Sequence, residues 1–120
     1  MVRGVRGAVT VEQNSKSEIV EATKEVIGEM IERNNIKPED VAQVIITTTE
    51  DLTAVFPAQA LRLFQGWSYV PVMCAQEISV SGSMRRCIRI MMTINTDKTQ
   101  KEIHHVYLGE AKKLRPDIQD

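Results

Sequence analysis

At 120 residues, with 42% hydrophobic residues, 26% charged residues and a formal net charge of -1, the chain has the length and composition of one ordinary globular domain. A domain of that size hides roughly two-thirds of the surface its unfolded chain exposes, so it can build a core without disulfide or metal staples. The balanced charge offers no footprint for nucleic acid or a membrane surface, no segment resembles a signal peptide or approaches a membrane span, and two cysteines, Cys74 and Cys87, are too few for a disulfide scaffold.

Each cysteine lies in an apolar stretch, where reduced Cys behaves as a small hydrophobe, so the expected setting is the reducing cytoplasm. Residues Val2 to Glu12 alternate as a first β-strand, with glycines where a side chain would not fit. Ser15-Lys16-Ser17-Glu18 has capping-box spacing, and Ile19, Thr23, Val26, Ile27, Met30 and Ile31 follow at helical intervals. A helix of about 17 residues is expected to stop near Asn34-Asn35, before Pro38.

Val41 to Thr49 is rich in β-branched residues and apolar on both faces over Val44-Ile45-Ile46, which predicts a central strand. Pro57 to Phe64 reads as a short helix with proline in its first turn. Trp67 to Ala75 reads as a third strand, confined by Pro71 to an edge or a bulge. A polar loop at Ser79 to Ser83 precedes a fourth strand, Cys87 to Asn95, and His104 to Leu108 forms a short fifth. The expected fold class is α+β: one domain over 1–120, a mixed β-sheet with one long and one short helix on one face, and a partly loose tail over 110–120. Two helices cannot cover both sides of a sheet, so the open face calls for self-association.

The fourth strand is the most informative about chemistry. Ile88, Ile90, Met92 and Ile94 share one apolar face, and Arg89 is committed to the other with Cys87, Met91 and Thr93. That arginine could be an edge gatekeeper or an interface ion pair. Alternatively it joins Arg6, Glu77 and Tyr107, all at strands or strand ends, in one pocket. Glu77 could be an acid or base, or a solvated strand-end acid. Cys74 lacks a neighbouring base or charge to activate it, which favours a spectator over a nucleophile. His104 and His105, adjacent on an extended segment, point to opposite faces and do not chelate one metal together, so no metal site is expected. The residues alone therefore describe an arginine-rich pocket without a nucleophile-base pair, suited to a polyanionic small molecule.

Taken together, Arg3-Gly4-Val5-Arg6-Gly7-Ala8, Ala54-Val55-Phe56-Pro57-Ala58, Gly66-Trp67-Ser68-Tyr69-Val70-Pro71-Val72, Cys87-Ile88-Arg89, His105-Val106-Tyr107-Leu108 and Leu114-Arg115-Pro116-Asp117 resemble the trimeric, Bacillus-type chorismate mutases. The resemblance runs from Val2 to Ile118. It implies a homotrimer with a central pseudo-barrel, active sites in clefts between subunits, and rearrangement of chorismate to prephenate with no cofactor. It also implies roles. Arg89 would contact the breaking ether oxygen and a carboxylate, and Arg6 and Tyr107 would grip the enolpyruvyl carboxylate. Glu77 would meet the ring hydroxyl and the developing positive charge, with Cys74 hydrogen-bonding alongside. Phe56, Ala58, Val72 and Leu114 would form walls, while Arg62 and Arg115 would draw the dianion in. Gln59 and Met73 depart from the family pattern, where lysine and threonine are expected, and imply altered substrate affinity. Two other readings share features with this one: an imine or enamine deaminase of similar architecture, and a trimeric sensor of an aromatic-pathway metabolite.

Overall fold

The structure, a computed structural model, describes residues 1–115. Its first strand, β1 (Val2–Thr10), sends Val5, Gly7 and Val9 to one side and Arg6 and Ala8 to the other. The helix that follows, α1 (Lys16–Asn34), is set by its ends and its stripe. The Ser15 hydroxyl accepts the Glu18 N–H at 3.3 Å, and Asn35 closes the helix in the left-handed conformation at φ 51. Only half of the expected capping box forms, because the Glu18 carboxylate turns to the N–H of Glu12, two residues past the end of β1. Ile19, Thr23, Val26, Ile27 and Met30 are fully buried, as the helical spacing predicts, and each of the apolar ones contributes roughly 1.5–3 kcal/mol relative to exposure. The buried Thr23 hydroxyl is satisfied by the carbonyl of Ile19. Gly7 lets α1 lie close on β1, since a Cβ there would meet Met30 Sδ and Val26.

The remaining strands are β2 (Val41–Thr48), β3 (Val72–Gln76), β4 (Cys87–Asn95) and β5 (Val106–Leu108). They complete a mixed sheet in the order β3-β2-β4-β1-β5, with β4 antiparallel to both neighbours and the outer strands parallel to theirs. The expected second helix is a 3-10 segment, Pro57–Leu63, which packs with α1 over the same face. The resulting α+β core sits between this helical layer and the inner face of the sheet.

Three expectations change. The central strand is β4, while β2 lies beside it, and its Ile45 face is left uncovered at 39% exposure, so the apolar run does not mean burial on both sides. The third strand begins at Val72, not Trp67, because Pro71 has no N–H to donate and the preceding residues turn instead; Trp67 is buried at 5% exposure in the core. β3 is then an edge strand, as Pro71 predicted. The fifth strand shortens to Val106–Leu108, with His104 and His105 leading into it.

The segment after β5 folds back over the sheet. Gly109 takes φ +61, and a Cβ there would strike Thr10 Oγ1, which already accepts the Glu110 N–H at 2.9 Å. The 3-10 turn Gly109–Lys113 follows, with Ala111 fully buried, and it delivers Leu114 and Arg115 to the sheet's open face. Residues 116–120, including Pro116, Asp117 and Ile118, lie outside the described residues. Among the described residues no helix is long and apolar enough to cross a membrane.

Candidate active site

Alternation along β4 puts Ile88, Ile90, Met92 and Ile94 in the core, none more than 3% exposed, and commits Arg89 to the opposite face. Strand register decides what surrounds it. Arg89 lies opposite Ala8 of β1 and Thr47 of β2; Ala8 in turn opposes Tyr107 of β5, and Thr47 opposes Ala75 of β3. A transverse row therefore crosses the open face in the order Tyr107, Ala8, Arg89, Thr47, Ala75. Small Ala8 leaves room between two long side chains, and Arg6 stands on the same face one alternation upstream.

Arg6, Arg89, Tyr107, Leu114 and Arg115 line one cavity of about 390 Å³. Its electrostatics are cationic, with a single carboxylate attached. Glu77 follows β3 and continues the ladder through its N–H to the Thr48 carbonyl at 2.9 Å. One carboxylate oxygen lies 3.1 Å from the Arg89 guanidinium, and the other accepts the Thr47 hydroxyl proton at 2.6 Å. The Arg6 guanidinium has no ion-pair partner among the described residues, and its backbone N–H donates to His105 Nδ1 at 2.9 Å. Tyr107 is 7% exposed, and its buried hydroxyl has no hydrogen-bond partner among the described residues. Buried polar groups are otherwise paired in folded proteins, and a buried donor sharing a cavity with two arginines suits an anionic ligand.

Cys74 points the other way. It pairs with Ile46 in register and so lies on the helix side, where with Phe56 and Gln59 it lines a second cavity of about 530 Å³. Val72 and Ala58 are half-buried against the core, and Phe56 is 73% exposed. Arg62 is exposed in the last turn of the 3-10 segment, and Met73 projects on the Arg89 side opposite Ile45. One protomer thus gathers Arg6, Arg89, Tyr107, Glu77, Leu114 and Arg115, and keeps Cys74, Phe56 and Gln59 on the other side of the sheet. Two residues of the site, Ala8 and Thr47, escaped the sequence reading, because strand alternation gives the face of each but not its opposite number.

The two thiols differ in environment. Burial pushes the Cys87 thiol up to about 11, against the opposing pull of the Arg89 charge, and Cys87 is fully enclosed, whereas Cys74 is half-exposed. A thiol-reactive disulfide at pH 8 is expected to modify at most one cysteine per chain, Cys74, in the native protein and both after unfolding in guanidinium. Rapid native modification of Cys87 would contradict this burial.

The entry to β4 is also pinned. Asp51 accepts the Arg86 N–H at 3.0 Å and the Thr49 hydroxyl proton, and Thr49 Oγ1 accepts the Cys87 N–H at 3.0 Å. Burial tends to raise the Asp51 carboxyl, yet these donors and the Arg85 charge hold it below its ordinary value. The knot fixes Arg86 in its left-handed conformation, φ 47, three residues before Arg89.

The chain is similar to known proteins over nearly its whole length. The chain is 52% identical over 118 residues to the chorismate mutase AroH of Bacillus subtilis (strain 168), spanning 98% of this chain and 93% of the relative. It is 48% identical over 120 residues to the chorismate mutase AroH of Thermus thermophilus, spanning 99% and 98%. The solved chorismate mutase from Clostridium thermocellum superposes with a TM-score of 0.89 at 47% identity, over 92% of this chain and 98% of that one. Neither the deaminase nor the sensor reading is needed to account for these matches. With residues 2–118 also matching the family described as chorismate mutase type I, the chain belongs to that family.

Proposed function

We propose that the protein is an isomerase converting chorismate to prephenate in aromatic amino acid biosynthesis, with Arg89 as the principal electrostatic group. Family membership supports the reaction. The observation that carries the site assignment is the orphaned Tyr107 hydroxyl, buried in a cavity shared with Arg6 and Arg89. A pericyclic rearrangement needs no nucleophile or base. It needs a compact substrate conformer and stabilisation of charge that separates as the ether bond breaks. Arg6 and Tyr107 would hold the enolpyruvyl carboxylate, Arg89 would meet a carboxylate and the ether oxygen, and Glu77 would face the ring as it turns positive. Leu114 would close a wall, and Arg115 at the mouth would attract the dianion. The direct test is to mix the purified protein with chorismate, without metal or cofactor, and follow loss of the diene absorbance with identification of the product. Saturable formation of prephenate supports the reading, and a flat trace from folded protein removes it.

The working site is proposed to be a cleft between copies in a homotrimer. Ile45 and Met91 on the sheet's open face are 39% and 41% exposed and Met73 is 73% exposed, an apolar surface that a second copy would cover. The separation of Cys74, Phe56 and Gln59 from the Arg89 cavity favours the same arrangement, with Ala58, Val72, Met73 and Arg62 on the second copy's contribution and its Cys74 brought beside Glu77. Mixed oligomers test it. Arg89→Ala and Phe56→Asp chains, each inactive alone, are expected to regain activity when refolded together, since about a quarter of the clefts receive both intact halves if sites lie between subunits. No recovery would place each site within one chain. The free thiols fit a reducing compartment, which favours a cytoplasmic setting.

A further inference from the structure

We propose that Thr47 is a positioning residue for the reaction: its hydroxyl holds the Glu77 carboxylate in place when Arg89 turns to the substrate. The inference rests on the assignment of Glu77 and Arg89 above and adds a residue to it.

Glu77 is held at both oxygens, by Arg89 at 3.1 Å and by Thr47 at 2.6 Å. Only one of these anchors is dependable during turnover. An incoming dianion competes directly for the Arg89 guanidinium, whose side chain is 47% exposed, and its carboxylates also repel Glu77. Thr47 is different in kind. It is neutral, so a dianion does not draw it away electrostatically, and its short β-branched side chain has little rotamer freedom. It stands on an interior strand, opposite Arg89 on one side and opposite Ala75 on the other. The small Ala75 side chain leaves Glu77, two residues on along the same face, room to lean back over β2. The Glu77 backbone is fixed to the next residue of β2 through the Thr48 carbonyl. Carboxylate and main chain of Glu77 are therefore both tied to β2, independently of Arg89.

The test is a double-mutant cycle in the full-length protein with chorismate as substrate. Thr47→Val keeps shape and β-propensity while deleting the hydroxyl, and is expected to lower kcat on the order of tenfold with KM changed by less than about threefold. Thr47→Ser, which restores a hydroxyl, is expected to recover most of that loss. In a Glu77→Gln background Thr47→Val is expected to cost less than about twofold more, because the carboxylate it positions is already gone. A folding defect would lower both backgrounds alike, so the cycle separates positioning from structure. Wild-type kcat in Thr47→Val, an equal loss in Thr47→Ser, or the full loss repeated beside Glu77→Gln would each overturn the proposal. Wild-type kcat in Glu77→Gln alone would instead overturn the prior assignment of Glu77.

Discussion

Arg89→Ala is expected to lower kcat/KM by on the order of 3 kcal/mol, a hundredfold or more, the scale for losing one preorganised donor to a developing oxyanion. The expectation follows from where the side chain is built. Arg89 rises from β4, the central strand, with a strand paired on either side of it. Its backbone thus cannot drift, and the guanidinium meets the substrate from a fixed base. Arg89→Lys is expected to recover little, since an ammonium cannot reproduce a planar fork shared between a carboxylate and an ether oxygen. Both kcat and KM should suffer, because the same group would bind the ground-state carboxylate and the transition-state oxygen. The loss should be catalytic and not structural. The Arg89–Glu77 pair is half-exposed on its cationic side and adds little to folding, so the melting temperature should stay within a few degrees of wild type. Turnover close to wild type in Arg89→Ala would remove this residue from the mechanism.

Much of this geometry is legible from alternation alone. The period of two along β4 separates four core residues from Arg89, and the helical spacing from Ile19 to Met30 identifies the face of α1 that lies on the sheet. Pro71 announces an edge strand and the structure obliges. What alternation cannot supply is register, which depends on how strands separated by long connections meet. Nothing in the residues of β2 says that Thr47 faces Arg89, or that Ala8 separates Arg89 from Tyr107. The exposed Ile45 face is a separate case. An apolar run reports that both faces avoid water, whereas the single chain leaves one of them open. The resemblance to a known family names candidate site residues without saying how one protomer divides them between two sides of its sheet. That division follows only once β3 is placed, since Cys74 and Glu77, three residues apart on one strand path, necessarily face opposite ways.

Glu77→Gln is expected to show a different kinetic signature from Arg89→Ala, and the difference tests the electrostatic division of labour. Glu77 neutralises part of Arg89 at 3.1 Å. Removing its charge while keeping its size leaves Arg89 more available to a dianion, so KM should stay level or fall. The transition state, however, loses the carboxylate facing a ring that is gaining positive character, and kcat should drop by on the order of a hundredfold. A fall in kcat without a rise in KM is the mark of an interaction made in the transition state and not in ground-state binding. Steady-state rates over a range of chorismate concentrations separate the two parameters directly. If Glu77→Gln raised KM and left kcat alone, Glu77 would be a binding group for the ring hydroxyl, and charge stabilisation would fall to the arginines alone.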